Sequence, residues 1–179
     1  MALSRRTGAL IFVTTLLGAS GCRRDSITHA HVRKQPAAAA TARTAGLSWT
    51  LPRGWTETAG PGMRYATIKP SLPGNLEISV IALPGAAGGE VANVNRWRGQ
   101  LGLPALEETA LLAAREVLPT EAGAVSLYDF AASGTNPGRL IVGLANAGEK
   151  TWFLKMAGDA SAVAASRGDF LHLIASLRP

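Results

Sequence analysis

The sequence predicts an α+β domain, a mainly antiparallel twisted sheet packed with helices. Three observations carry this. Segments of alternating apolar and polar residues recur between residues 47 and 156, the period of a half-buried strand. Short Gly- and Pro-rich connections join neighbouring segments, and such connections link antiparallel strands, whereas parallel strands need a long crossover. Two stretches carry their apolar residues at helical spacing, so that each has one face to lay on a sheet.

In chain order, Leu47-Ser48-Trp49-Thr50-Leu51 alternates and predicts a first strand, turned by Pro52-Arg53-Gly54-Trp55. Met63 to Ile68 and Leu76 to Ile81 alternate around Pro70-Ser71-Leu72-Pro73-Gly74-Asn75, which predicts a hairpin. A helix is expected from Gly89 or Glu90, because Val91, Val94, Trp97 and Leu101 fall within about 120° of arc at helical spacing. Gly102 is its natural stop. A second, short helix is expected over Ala105 to Ala114, with Glu107 and Glu108 in the first turn, where carboxylates suit the helix dipole. Strands follow at Arg115 to Leu118, Val125 to Ala132, Leu140 to Ala145 and Thr151 to Met156, punctuated by Gly123, Ser133 to Gly138, and Gly148. A closing helix over Ser161 to Leu177 places Val163, Phe170, Leu173, Ile174 and Leu177 within about 100° of arc, with Asp159 as N-cap.

Ahead of this domain the chain reads as an address. Residues 1–21 contain Arg5 and Arg6, an apolar run from Ala9 to Leu17, and the small residues Gly18-Ala19-Ser20-Gly21 before Cys22. The run is too short for a membrane-spanning helix, which takes roughly 20 apolar residues. Small residues before the only cysteine resemble a bacterial lipobox, although Ala19 stands where that motif most often has leucine. The resemblance implies that Cys22 is diacylated and becomes the mature N-terminus, which makes the membrane a partner through acylated Cys22. The alternative is an ordinary secretory signal with an incidental cysteine. Ser4-Arg5-Arg6 also resembles the opening of a twin-arginine signal, so either export route fits. Arg23, not aspartate, follows Cys22, and in that respect the chain resembles outer-membrane rather than inner-membrane lipoproteins.

Residues 22–46 form the expected tether: polar, basic and Ala/Thr-rich, without periodic apolar residues to bury. A coil of that length reaches about 25–30 Å. The expected organisation is therefore a signal over 1–21, a lipidated tether over 22–46 and one globular domain over 47–179. Hydrophobic residues at 47% and charged residues at 17% suit a folded chain. The net charge of +6 belongs to the front end: seven of the 18 basic residues but one of the 12 acidic residues precede Leu47, leaving eleven of each in the domain. A neutral domain without a basic stripe and interleaved aromatics gives no footing for nucleic acid. One cysteine excludes an internal disulfide framework and a cysteine-cluster metal site.

The layout resembles the PsbP/Mog-like fold, an α/β/α sandwich, through Leu51-Pro52-Arg53-Gly54-Trp55, Thr151-Trp152-Phe153-Leu154-Lys155 and the closing segment from Phe170 to Arg178. The stretch Ala92 to Leu103 is similar to one shared by a group of uncharacterised bacterial lipoproteins. The first resemblance implies a binding or assembly role; the second implies no activity.

No cofactor, metal site or catalytic set is expected. His29 and His31 lie in the tether, where nothing fixes them for acid–base work or as two of the four ligands a structural zinc needs. His172 is the domain's only histidine and lies opposite the apolar arc of the last helix, and no Gly-x-Ser-x-Gly elbow occurs. A hydrolase would need a triad or carboxylate pair assembled by folding around it. Gly85-Ala86-Ala87-Gly88-Gly89 lacks the lysine of a phosphate loop and the spacing of a dinucleotide fingerprint. The candidate binding surface is Asn93, Asn95, Arg96, Trp97, Arg98 and Gln100. Arg98 falls inside the apolar arc, where it must snorkel, meet a carboxylate such as Glu77 or Asp129, or reach a ligand. Two functions follow from this surface: capture of an envelope protein by an exposed Trp97 and Arg96, or carriage of a small ligand in a pocket edged by Asn93, Arg98 and Gln100.

Overall fold

The computed structural model describes residues 46–135 and 137–179, so the expected signal, Cys22 and the expected tether up to Ala45, with His29 and His31, lie outside the described residues. Seven strands, β1 (Thr56–Ala59), β2 (Arg64–Lys69), β3 (Leu76–Pro84), β4 (Glu116–Thr120), β5 (Gly123–Ala131), β6 (Gly138–Ala147) and β7 (Lys150–Asp159), pair in the order β1-β2-β3-β7-β6-β5-β4. Every pairing is antiparallel. Among the described residues three helices accompany them, α1 (Glu90–Gln100), α2 (Glu108–Ala113) and α3 (Ala160–Ala175), giving the expected α+β architecture.

The sheet is buried on both faces at its centre, because alternate residues of each strand point to opposite sides. On β7, Trp152, Leu154 and Met156 join Ile78, Val80 and Ile141 beneath α3, which contributes Val163, Phe170, Leu173 and Ile174. Phe153, between them in sequence, joins Tyr128, Phe130 and Val142 on the other face, under Val94 and Trp97 of α1 and Leu111 of α2. Helix, sheet and helix pair thus form three layers. Gly143 on β6 lets α3 come close: a Cβ there would stand 2.9 Å from Ile174 Cδ1 and 3.1 Å from Val125 Cγ1. On the α1 side, among the described residues, no helix overlies β1, β2 or the start of β3, where Thr58, Lys69 and Glu77 are exposed.

Three expectations need correction. Leu47 to Leu51 is not a strand of the sheet; among the described residues its one ladder contact is a bridge from Ser48 to Arg178, with backbone bonds of 2.9 and 3.0 Å. The alternation there reflects Leu47 and Trp49 entering the core under α3, not pairing in the sheet. β1 instead is Thr56-Glu57-Thr58-Ala59, an edge strand with one pairing partner and little to bury, hence without apolar alternation. Helix α2 is shorter than expected because both backbone groups of Leu106 are bonded to Asn95 instead of entering a helical ladder. Asp159 does occupy the N-cap position of α3, but its carboxylate accepts the Asn75 N–H at 3.0 Å rather than a helix N–H.

Candidate functional site

Helix α1 begins after Gly89, whose φ of 84° only glycine adopts without strain. It ends where Gly102, at φ 69°, allows Leu103 N–H to return to the Arg98 carbonyl at 3.0 Å. Between these limits lie the six candidate residues. Asn93 is buried, and its amide donates to the carbonyls of Ala87 and Gly89 at 2.8 and 2.7 Å, tying the glycine-rich loop to the helix. Asn95 clamps Leu106 twice, donating to its carbonyl and accepting from its N–H, both at 2.9 Å. Trp97 is 7% exposed and packs edge-on against Phe153, with ring centroids 5.4 Å apart. It is a core anchor between helix and sheet, not an exposed aromatic.

Arg98, 8% exposed, meets no carboxylate among the described residues. Its Nε donates to the Pro104 carbonyl at 3.0 Å and its guanidinium lies 4.7 Å from the Phe130 ring centroid. A carbonyl and an aromatic face thus take the place of the expected acid, a geometry that suits the weakly hydrated guanidinium. The acids considered for it are engaged elsewhere. Glu77 pairs with Arg64, while Asp129 receives both Arg139, bidentate at 2.8 and 2.7 Å, and Arg167 at 3.2 Å. Arg96 and Gln100 remain exposed, one helical turn apart. Arg96 Nη1 donates to Asn93 Oδ1 at 3.0 Å, and Gln100 Oε1 accepts from Lys155 Nζ at 3.2 Å.

Removing the Asn95 amide should therefore be felt in stability. We expect Asn95→Ala to cost about 1–3 kcal/mol, the desolvation cost of leaving partly buried backbone groups unpaired. Urea unfolding reads this as a lower midpoint at unchanged slope; an unaltered midpoint would show that the clamp contributes nothing.

Several polar groupings arise only from tertiary pairing. Tyr128 is wholly buried, its hydroxyl donates to Glu90 Oε1 at 2.7 Å, and Glu90 Oε2 faces Arg115 at 3.5 Å. Burial and then the Glu90 bond push the phenol far above its ordinary range, so it stays protonated. Arg139, Asp129, Arg167 and Glu116 link β6, β5, α3 and β4. Periodicity gives no signal for either grouping, because the partners lie on separate elements.

The surroundings of His172 bear on hydrolysis. Asp169, His172 and Ser176 share one side of the α3 end with Thr50, Leu51, Pro52 and Arg53, in a groove of about 540 Å³. Ser176 Oγ accepts the Thr50 N–H at 2.8 Å and donates to the Leu173 carbonyl at 2.7 Å. A hydroxyl so occupied ties two segments together and has no proton pointed at a base. As for a carrier pocket, Trp97, Val94, Phe153, Tyr128 and Phe130 fill the space between α1 and the sheet. Cavities of about 370, 540 and 590 Å³ lie elsewhere, and none is edged by Asn93, Arg98 or Gln100.

No protein-family model matches the chain, and no curated protein matches it in sequence. Among solved structures, the chain is similar to the cyanobacterial PsbP (CyanoP) of Synechocystis, at 12% identity and a TM-score of 0.48, over 76% of this chain and 94% of that one. It is similar to LpqN of Mycobacterium tuberculosis, described as involved in cell envelope biogenesis, at 15% identity and a TM-score of 0.45, over 74% and 83% of the two chains. A third likeness is to a protein of Bacteroides thetaiotaomicron, at 10% identity and a TM-score of 0.45, covering 74% of this chain and 44% of that longer one. The chain thus spans less than half of the Bacteroides protein.

Proposed function

We propose that the protein is a non-enzymatic binding factor of the bacterial cell envelope, held to the membrane by acylated Cys22 and serving the assembly or maintenance of an envelope complex. The observation that carries the address is the sequence from Arg5 to Cys22: basic residues, a short apolar run, small residues, then the only cysteine. Within the candidate surface, Asn93, Asn95, Trp97 and Arg98 hold α1 to the domain, which leaves Arg96 and Gln100 as the exposed side chains that can meet an envelope protein. No transfer of chemistry is part of this reading.

The test is site-specific photo-crosslinking in the native envelope, with the crosslinker at Gln100 and, as control, at His172 on α3. We expect a discrete adduct from position 100 that falls about tenfold in Arg96→Glu, the size of one close charge contact, at unchanged melting temperature. An adduct equally strong from position 172, or indifferent to Arg96→Glu, contradicts the reading.

A further inference from the structure

The open face of the sheet beside α1 carries a row of polar side chains that the core does not use. Register places Thr58 of β1 opposite Thr67 of β2, Thr67 opposite Ser79 of β3, and Ser79 opposite Lys155 of β7. Directly paired residues share a face at about 4.5–5.5 Å between Cβ atoms, so this is a continuous line of three hydroxyls ending in an amine. The Lys155 bond to Gln100 fixes which face it is: the α1 side, with α1 as one wall.

Charge on this face is one-sided. Arg64 reaches over the row, donating from Nη1 to Thr67 Oγ1 at 3.2 Å and to Glu77, and Lys69 lies on the same face of β2. Glu77 is a single carboxylate against Arg64, Lys69 and Lys155, and Arg96 lies one turn before Gln100 on the wall. Ser79 is 4% exposed, yet its hydroxyl makes no hydrogen bond among the described residues. This hydroxyl has no protein partner and still reaches solvent, so on a face with surplus positive charge it can donate to an acceptor that arrives from solvent. The surroundings of Lys155 agree: burial first, then the Arg64 charge, hold its ammonium below the ordinary lysine range, with Glu77 opposing.

We propose that the row Thr67, Ser79 and Lys155, bounded by Arg64 and Gln100, binds the dianionic phosphoryl group of a soluble phosphate monoester. Three terminal oxygens match a guanidinium, an ammonium and two hydroxyls, and two negative charges match the surplus. The row sits in the floor of the sheet, with a half-buried amine and a serine only 4% exposed, so it suits a small group entering from solvent rather than a flat layer of headgroups. Nothing is bonded or cleaved. This site goes beyond the partner-capture reading; Gln100 borders both, but the two tests are distinguishable, since Ser79, Lys155 and Arg64 are substituted in one and Arg96 in the other.

The experiment is a titration of the full chain, in neutral detergent, with glycerol 3-phosphate, followed by the NMR signals of the Lys155 side chain. We expect saturable shifts with millimolar or tighter affinity, a rise of the Lys155 pKa on binding, and weaker binding as the pH rises through that pKa. Affinity is expected to fall at least tenfold in Lys155→Met and several-fold in Ser79→Ala, with the melting temperature of the serine variant unchanged. Should Lys155→Met not fold, Ser79→Ala and Arg64→Gln carry the same test. Absence of saturation by about 10 mM, far weaker than a marginal site, overturns the proposal. So does binding unaffected by all three substitutions. A Lys155 response to phosphatidylglycerol in mixed micelles without one to glycerol 3-phosphate also overturns it, and assigns the face to diester headgroups.

Discussion

Trp152→Ala is expected to cost about 3–5 kcal/mol of folding stability, the range for removing a buried aromatic from a packed core. Trp152 is 1% exposed on β7, the strand between β3 and β6 at the middle of the sheet. Its ring meets Tyr65 edge-on at 4.9 Å, and Tyr65 in turn meets Trp49 at 5.9 Å, so one indole holds together β7, β2 and the segment that leads into the sheet. The approach is tight enough that a Cβ on Gly46 would come within 3.0 Å of the Trp152 ring. Set against the 5–15 kcal/mol that domains usually possess, the loss corresponds to a fall in melting temperature on the order of 10–20 °C. Trp152→Phe keeps part of the contact and is expected to lose about half as much. Calorimetry of the two variants checks this; a loss under about 1 kcal/mol for Trp152→Ala would mean that the three aromatic rings do not cooperate as packed.

The elements legible in the sequence were those whose burial follows a period. β2, β3, β5, β6, β7, α1 and α3 all fall where alternation or helical arcs placed them, with ends shifted by at most three residues. Burial on both faces of β6 extends its apolar run to Gly138–Ala147 without disturbing this reading. What escaped is structure without a period. β1 is polar and at the edge, and the segment around Trp49 has the alternation of a strand while serving a different wall of the core. Arg98 shows the same limit within the candidate surface. Helical projection placed it correctly inside the apolar arc, but its partners, the Pro104 carbonyl and the Phe130 ring, come from a loop and from β5. A spacing rule sees neither. The row Thr58, Thr67, Ser79 and Lys155 was equally invisible, because it runs across four strands and has no linear signature. Sequence reasoning thus singled out helix α1, beside which the proposed row lies, but not the row itself.

Replacing Cys22 by alanine is expected to have the largest effect on the life of the protein, since it removes the only thiol and with it the only point of the lipid attachment proposed above. Burying an acyl chain is worth roughly 0.8 kcal/mol per methylene, so one chain gives marginal attachment and two or three give a lasting one. Against this, the tether's Arg23, Arg24, Arg33, Lys34 and Arg43 would contribute on the order of 1 kcal/mol each near an anionic surface and are screened by salt. They cannot replace an anchor. Metabolic labelling with a fatty acid is therefore expected to mark the wild type and to fall to background in Cys22→Ala, with the precursor left uncut ahead of position 22. Label retained by the variant would place any acyl group elsewhere.

The most direct test of the envelope-anchored account is the intact mass of the mature wild-type chain, extracted in detergent from the membranes of a bacterial host. The account predicts a chain that begins at Cys22 and carries two or three acyl groups on that residue. A mature chain with a free Cys22 thiol, recovered without detergent from the soluble fraction, would contradict it.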